Sequence, residues 1–587
     1  MKFSKRLTAF FLFAFMLITL VPSTQNAQAR AVLNDVPDSY AYKNAIYKLF
    51  NEGIMDATKQ SGGVFVFNPG EVVPRADAVK LVVSTFLESN PDELEVKSLF
   101  SDVPEDYWAN RYITYAAESK IISPKSDGTF APYEPVTYGE VVKMLVCARG
   151  YASTCRETNP WYDGYISVAN QIGINDNVYY TDGNAKISRG LLAQLIYNAK
   201  YSQKIPKLHI YGDISGMASK SDVRNIHVKY ENGHYFFESY ATLKVQGTSS
   251  LAYSKKNFTI QFFEDSLHTK KRKIDVGWGK ESKYCLKANW IDKSHARNVV
   301  SAKLVTQMQS KYNLLTQAPR NGAVDGFPVE IYNNDQFHGI YTFNIPKDDW
   351  MFGMDGDNPD HIVVGGEDWG PETLFEARPN FSMWEVEVGE DDDATLEKLT
   401  RMFDFVINSS DEEFRRDFNK YLNLDAVMNY YVFADCAYLI DNLGKNMMLA
   451  TYDGKIWYPS LYDLDSSWGV QADGKSLFGY EQNLVGFDYN NLFHRVEKCF
   501  KKELSQRYFE LRQDVLSKNN IMFNFKSFDN AIPKISFAKE MIKWGTEIPG
   551  YDTAQLERYL DNILPRLDKK YSLLSNLTLP SDGWIEK

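Results

Sequence analysis

Two stretches of this chain repeat one pattern, and no other feature limits its fold as tightly. The first runs LNDVPDSYAYKNAIYKLFNEGIMD, then FVFNPGEVVPRADAVKLVVSTF; the second runs LFSDVPEDYWANRYITYAAESKII, then GTFAPYEPVTYGEVVKMLVCARG. Each carries Asp-Val-Pro, an apolar helix with i, i+3, i+4 spacing, a Phe-x-Pro turn and a second apolar helix. A degraded third copy joins WYDGYISVANQIGI to AKISRGLLAQLIYNAKY. Repeats of about 55 residues predict helical units that stack and share a core. The copies fall at about 32–90, 98–152 and 160–202, within a repeat unit spanning 30–202.

This pattern resembles the S-layer homology domain, three copies of which form one cell-wall-anchoring unit. Asp102, Trp108, Phe130, Pro132 and Thr137 fall at its signature positions. In the family an Arg opening the second helix grips an anionic wall polysaccharide. Arg75 of PRAD and Arg189 of SRGL match it, and a guanidinium suits bidentate capture of carboxylate or pyruvyl groups. The resemblance thus implies polysaccharide contacts at Arg75, Arg189, Asp102 and Trp108. Copy two has Tyr138 where the Arg belongs, which predicts one weak or empty pocket.

At 587 residues the chain holds several domains, and its net charge of −11 argues against a nucleic-acid partner. The basic run Lys270–Lys273 reads as a solvated loop. Residues 1–29 read as a secretory signal: Lys2, Lys5 and Arg6 start it, Leu7 to Val21 is apolar, and Ala27 to Ala29 offers a cleavage site. Cleavage removes those three cations and takes the mature chain from −11 to near −14. No later run is long enough to span a membrane, so the expectation is a secreted protein at the cell surface, of a Gram-positive-type bacterium. Of five cysteines, Cys147 and Cys155 are close enough to bridge; Cys285, Cys436 and Cys499 sit in apolar contexts and read as buried hydrophobes.

After a linker at 203–223 the texture changes. RNIHVKY and HYFFESYATLKVQG alternate around Asn232-Gly233, a hairpin signal; a second hairpin turns at Asn333-Asn334. Helical spacing dominates later, at Thr395–Asn408, Leu424–Ile440, Leu492–Leu516 and Ala554–Leu574. Strands followed by helices predict an α+β fold with a cleft between two lobes, over 224–580. Met354–Asp393, rich in Gly, Pro and acids, reads as an irregular insertion.

The helix from Leu424 runs into DNLGKN (Asp441–Asn446), and the hairpin around Asp453-Gly454 brings YDLD (Tyr462–Asp465) back beside it. An Asp in a loop, an Asn five residues on and an Asp after the next strand pair is the layout with which protein kinases orient an acceptor hydroxyl and hold magnesium on phosphates. Asp and Asn also populate ordinary turns, so the spacing alone leaves both readings open. VQGTSSLAYSKKNFTIQF adds a Gly-Thr-Ser-Ser turn before paired lysines that open a strand, where backbone N–H groups can cradle phosphate.

Together these segments resemble the CotH-type spore-coat kinases, atypical secreted kinases using ATP. QGTSSLAYSKKNF matches the family's RGNSS…KKSY stretch, NWIDKSHARN its D-x-S-x-x-R-N helix start, DNLGKN its DN-x-x-KN loop and YDLDSSWG its WDLD-x-x-x-G. Gln246 replaces the usual Arg, and Ile345 sits where a Glu is common. The resemblance implies Asp441 as base or orienter, with Lys445 near the transferring phosphoryl group. It implies Asn446, Asp463 and Asp465 around Mg2+ or Mn2+. Lys256, or alternatively Lys255, would contact ATP phosphate with Gly247, Ser249, Ser250 and Arg297. The whole is expected to be multidomain, an α-helical repeat unit followed by an α+β two-lobed kinase-like domain.

Two functions compete. One is a wall-anchored kinase acting on hydroxyls of extracellular protein; the other is a non-catalytic scaffold or adhesin with a kinase-like body. Retention of Asp441, Asn446, Asp463 and Lys256 favours the first. Gln246, Ile345 and the scarcity of ATP outside cells favour the second. A hydrolase with paired carboxylates lacks any cue. His295 and His338 read as ordinary polar contacts.

Overall fold

The computed structural model describes residues 33–575 apart from 38–39, 62–63, 87–92, 153–154, 177, 179–181, 202–204, 233–234, 472–473, 475–489 and 546–552. The expected signal segment and Gly233 of the first hairpin turn lie outside the described residues.

The repeat unit is three helix pairs: α1 (Lys43–Asn51) with α2 (Arg75–Phe86), α3 (Asn110–Glu118) with α4 (Tyr138–Ala148), and α5 (Asp163–Gln171) with α6 (Arg189–Tyr201). Where each second helix begins, its first two N–H groups bond a neighbouring copy. Arg75 and Ala76 donate to the carbonyls of Glu134 and Pro132, Tyr138 and Gly139 to Ala185 and Gly183, Arg189 and Gly190 to Glu71 and Pro69. Copy one thus grips two, two grips three, and three grips one. A closed ring satisfies helix-start donors that would otherwise be unpaired, and explains why three copies are needed.

Counting strands of four residues or more, β1 (Lys207–Tyr211), β2 (Val223–Asn232), β3 (Tyr235–Gln246), β4 (Asn257–Phe263), β5 (Lys283–Lys287), β6 (Gly326–Asn333) and β7 (Gln336–Asn344) close a barrel in the order β6-β7-β5-β4-β3-β2-β1. β1 lies inside the expected linker, yet it pairs antiparallel with β2 and parallel with β6, closing the barrel. The second hairpin turns one residue later than its sequence suggests, at Asn334 and Asp335, both with positive φ.

α7 (Arg297–Lys311) leaves the barrel. The expected irregular insertion instead supplies β8 (Ile362–Gly366) and β9 (Trp384–Val388), which join β10 (Met447–Thr451) and β11 (Tyr458–Leu461) in a sheet ordered β9-β8-β10-β11. The other helices are α8 (Asp393–Asn408), α9 (Asp411–Asp417), α10 (Leu424–Ala437), α11 (Asn491–Cys499), α12 (Lys501–Arg512), α13 (Lys518–Asn530), α14 (Lys534–Trp544) and α15 (Thr553–Ser575); α10 packs on β11, and α14 on β7 of the barrel. The stretch read as one helix from Leu492 breaks at Phe500 into α11 and α12.

The repeat unit is docked on this body. Lys303 of α7 donates to the Gly150 carbonyl at 2.8 Å, and Asp514 accepts both Lys120 from the repeats and Lys311 from α7. Cys147 and Cys155 are free thiols, as are the other three cysteines. No helix among the described residues is long and apolar enough to cross a membrane.

Candidate functional site

Three loops meet beside the barrel, each fixed by its own side chains. Asp292 lies before α7 and is fully buried. It accepts from Ser294 N and Oγ at 3.1 and 2.6 Å, and from Arg297 N and Nη1 at 2.7 and 2.6 Å. Arg297 Nε donates to Ser467 O at 3.0 Å, and Asn298 Oδ1 accepts Leu464 N at 3.2 Å. The α7 start therefore grips the YDLDSSW loop. Arg297, expected on phosphate, is the clasp between these two segments.

α10 ends at Tyr438 in the left-handed conformation and delivers the chain into DNLGKN. Asn442, buried in that loop, donates to Tyr462 O at 2.7 Å, and Asn490 donates to Leu443 O at 2.6 Å. The Met447–Leu461 register of β10 and β11 sets Asn446 opposite Tyr462, one residue before Asp463. Asn446 N donates to Gly366 O at 2.9 Å, so the former insertion positions this loop. Asn446 and Asp463 both hold positive φ, of 62° and 55°, a backbone strain that surrounding hydrogen bonds must over-determine. Asp441 and Lys445 are half-buried in the same loop.

Asp463 and Asp465 border a cavity of about 30 Å3 with Ser250, Lys255, Lys287 and Asn298. That is room for about one water. Burial, then the Asp463 and Asp292 carboxylates, push Asp465 well above the usual carboxylate range, with Lys287 pulling the other way. The two carboxylates, with Asn446 on the adjoining loop, offer oxygen donors of the kind that suits Mg2+ or Mn2+, and a cation there would relieve the repulsion between the acids. A larger cavity, about 750 Å3, lies away from these groups, between the repeat unit and α12, α13 and α15.

The paired lysines have other work. Lys256 Nζ donates to the carbonyls of Leu251 and Tyr253, both at 2.6 Å, pinning the turn before β4. Lys255 is buried and donates to Ile340 O, to Ala288 O at 3.3 Å and to Glu540 Oε1 of α14 at 2.6 Å. Burial depresses its ammonium and Glu540 opposes that. In the same turn Gly247 holds φ of 106°, and a Cβ there would collide with Ser250 Oγ. Ser249 contributes its backbone to the short helical turn Ser249–Ala252. Gln246 and Ile345, the two departures from the family pattern, are the end of β3 and a buried core residue.

Lys287 went unnoticed in the sequence. β5 alternates: Tyr284 and Leu286 enter the barrel core, and Cys285 and Lys287 take the other face. Burial alone would depress Lys287, but Tyr462 and Asp463 outweigh it and hold the ammonium above the ordinary lysine range. A lysine closing the KYCLK strand five residues before Asp292 was the available signal. Asn442, Asn490 and Glu540 were also missed, each acting across long sequence separations.

In the repeats, Arg75 Nε donates to Phe130 O at 2.9 Å and its guanidinium pairs with Glu140 and covers the Phe130 ring. Arg189 repeats this on Phe67, with Nε to Phe67 O at 3.0 Å. Tyr138, replacing the Arg of copy two, donates to Asn175 Oδ1 at 2.6 Å. Asp102 accepts Phe130 N and Ala131 N at 2.9 and 2.7 Å, and Asp35 does the same for Phe67 and Asn68. Trp108 is exposed, as is its counterpart Trp161. A groove of about 250 Å3 is lined by Arg75, Lys125, Glu140, Lys143 and Trp161.

Comparison with known families decides the broad identity. The CotH kinase protein family matches residues 243–546, just over half of the chain. The chain belongs to that family. Residues 99–142 match the S-layer homology domain, so in this CotH family member the wall-type module precedes the kinase-family module. Curated relatives include the middle cell wall protein of Brevibacillus brevis, 25% identical over 160 residues, which are 27% of this chain and 15% of that one. The surface layer protein of Brevibacillus choshinensis is 28% identical over 109 residues, 18% of this chain and 10% of its own length. The cell surface protein of Thermoanaerobacter kivui is 26% identical over 175 residues, 29% and 21% respectively. The chain spans at most about a fifth of these relatives' length. An S-layer homology module and such relatives place this CotH family member at the cell surface.

Proposed function

We propose that this CotH family protein is a wall-anchored phosphotransferase that moves phosphate from ATP to hydroxyls of extracellular proteins of a Gram-positive-type bacterium. The observation that carries it is the convergence of three distant segments: Asn298 on Leu464, Arg297 on Ser467, and Asn442 on Tyr462. Those bonds hold the loops, which leaves Asp441, Asn446, Asp463 and Asp465 for chemistry. Asp441 orients the acceptor hydroxyl and takes its proton as the new P–O bond forms and the bond from the γ-phosphorus to ADP breaks, ADP leaving. Asn446, Asp463 and Asp465 would hold Mg2+ or Mn2+, which when bound neutralises phosphate charge. Lys445 faces the transferring group as a point charge.

The repeats serve as tether to secondary cell-wall polysaccharide. Arg75 and Arg189 are engaged by carbonyls, so contact with the glycan falls to the groove rim, where Lys143 covers exposed Trp161. A second reading, a non-catalytic scaffold, draws on the 30 Å3 cavity, which a nucleotide can enter only if barrel and helices part.

The test is transfer of labelled γ-phosphate with magnesium, by the protein and by Asp463→Ala of matched fold. Labelling of itself or a co-secreted protein, lost in the variant, supports the kinase. Equal labelling by both would defeat the assigned site, and none by either leaves the scaffold.

A further inference from the structure

We propose that Lys287 is the lysine that neutralises the nucleotide phosphates in this cleft, a role the sequence pattern hands to the Lys255-Lys256 pair. The inference rests on the phosphotransferase reading and adds a substrate-touching residue to it.

An ammonium has three N–H donors. Lys255 meets three acceptors, the carbonyls of Ala288 and Ile340 and the Glu540 carboxylate, and its Nζ also lies 4.4 Å from the centroid of the Tyr341 ring. Glu540 is locked in turn, since its second oxygen accepts Ile340 N at 2.8 Å. To reach a phosphate, Lys255 would have to break a buried ion pair and detach α14 from the barrel, at a cost of several kcal/mol. Lys256 points back into its own turn. Lys347, near the same cleft, is paired with Glu387.

Lys287 differs from all three. It ends β5 on the cleft-facing side and is 8% exposed. Its Nζ lies 5.4 Å from the centroid of the Tyr462 ring, immediately before Asp463, and the residue borders the cavity that Asp463 and Asp465 line. No backbone carbonyl among the described residues holds its ammonium. Lys347 also lies over the Tyr462 ring, at 5.0 Å. With Asp463 and Asp465 holding a divalent cation, Lys287 would be left to meet phosphate oxygen. A compact ammonium fixed by a strand is preorganised for that charge.

The test is calorimetric binding of the non-hydrolysable analogue AMP-PNP with magnesium to full-length protein, with AMP as the control and ligand-free melting alongside. Lys287→Met should weaken AMP-PNP binding about tenfold or more and leave AMP binding unchanged, because it removes a charge-assisted phosphate contact. Lys287→Arg should recover most of the difference, and Lys256→Ala should bind as the parent does. If Lys287→Met melts early, Lys287→Gln keeps a polar end in place and gives the same comparison. AMP-PNP binding to both neutral variants as tight as to the parent overturns the role of Lys287. A parent protein that binds no AMP-PNP overturns the phosphotransferase reading itself, and the Lys287 role falls with it.

Discussion

The repeat unit and the cleft are built from the same kinds of side chain, but place them differently. In the repeats, Asp102 and Asp35 hold turn N–H groups, and Arg75 and Arg189 hold the carbonyls of those same turns. The residues that make the repeat recognisable are thereby tied into its ring. In the cleft, a supporting tier of Asp292, Asn298, Asn442 and Asn490 makes the loop-holding bonds. Asp463 and Asp465 are left bordering a space. A motif residue therefore points to chemistry only when a neighbour has relieved it of structural duty.

Changing one supporting residue should break that contrast most sharply. Asp292→Ala leaves Arg297 a buried, unpaired charge and should cost about 3–5 kcal/mol in denaturant unfolding. It should also abolish phosphate transfer by freeing the Ser467 end of the YDLDSSW loop. Stability lost with transfer retained would mean that the α7 clasp does not position the site. Arg75→Ala is the matching change in the repeats, where Glu140 keeps some access to solvent. It should destabilise by about 2–3 kcal/mol, with Arg189→Ala about half that because Arg189 is half-buried. Neither should alter transfer by soluble protein, and an effect on transfer would show the two regions to be coupled.

The smallest effect concerns pH. Burial, with Lys255 and Lys543 nearby, lowers His338 to about 4. Its unfolded value is near 6.5, so the unfolded chain binds the extra proton between those limits. Stability should be full above pH 6.5 and fall as pH drops toward about 4, and His338→Asn should flatten the slope of melting temperature against pH in that window. An unchanged slope would place the acid sensitivity elsewhere.

The repeats were legible because each helix pair is local and its pattern recurs at a fixed spacing. DNLGKN and YDLD could be paired because one short hairpin separates them. Lys287 could not be chosen over Lys256 from sequence, since the choice turns on strand alternation in β5 and on Glu540, 285 residues beyond Lys255. The Gly- and acid-rich stretch after Met354 hid β8 and β9, whose five-residue strands, IVVGG and the acid-bearing WEVEV, sit among turn formers. β1 was hidden likewise: it is only five residues long, and although β2 follows it in sequence, its other partner, β6, lies far along the chain.

The most direct measurement is a crystal of the protein soaked with AMP-PNP and Mn2+, read by anomalous scattering. The account requires a manganese peak about 2.1 Å from carboxylate oxygen of Asp463 and amide oxygen of Asn446, bridging to phosphate. Nucleotide and manganese bound together elsewhere, with Asp463 and Asn446 bare, would contradict it.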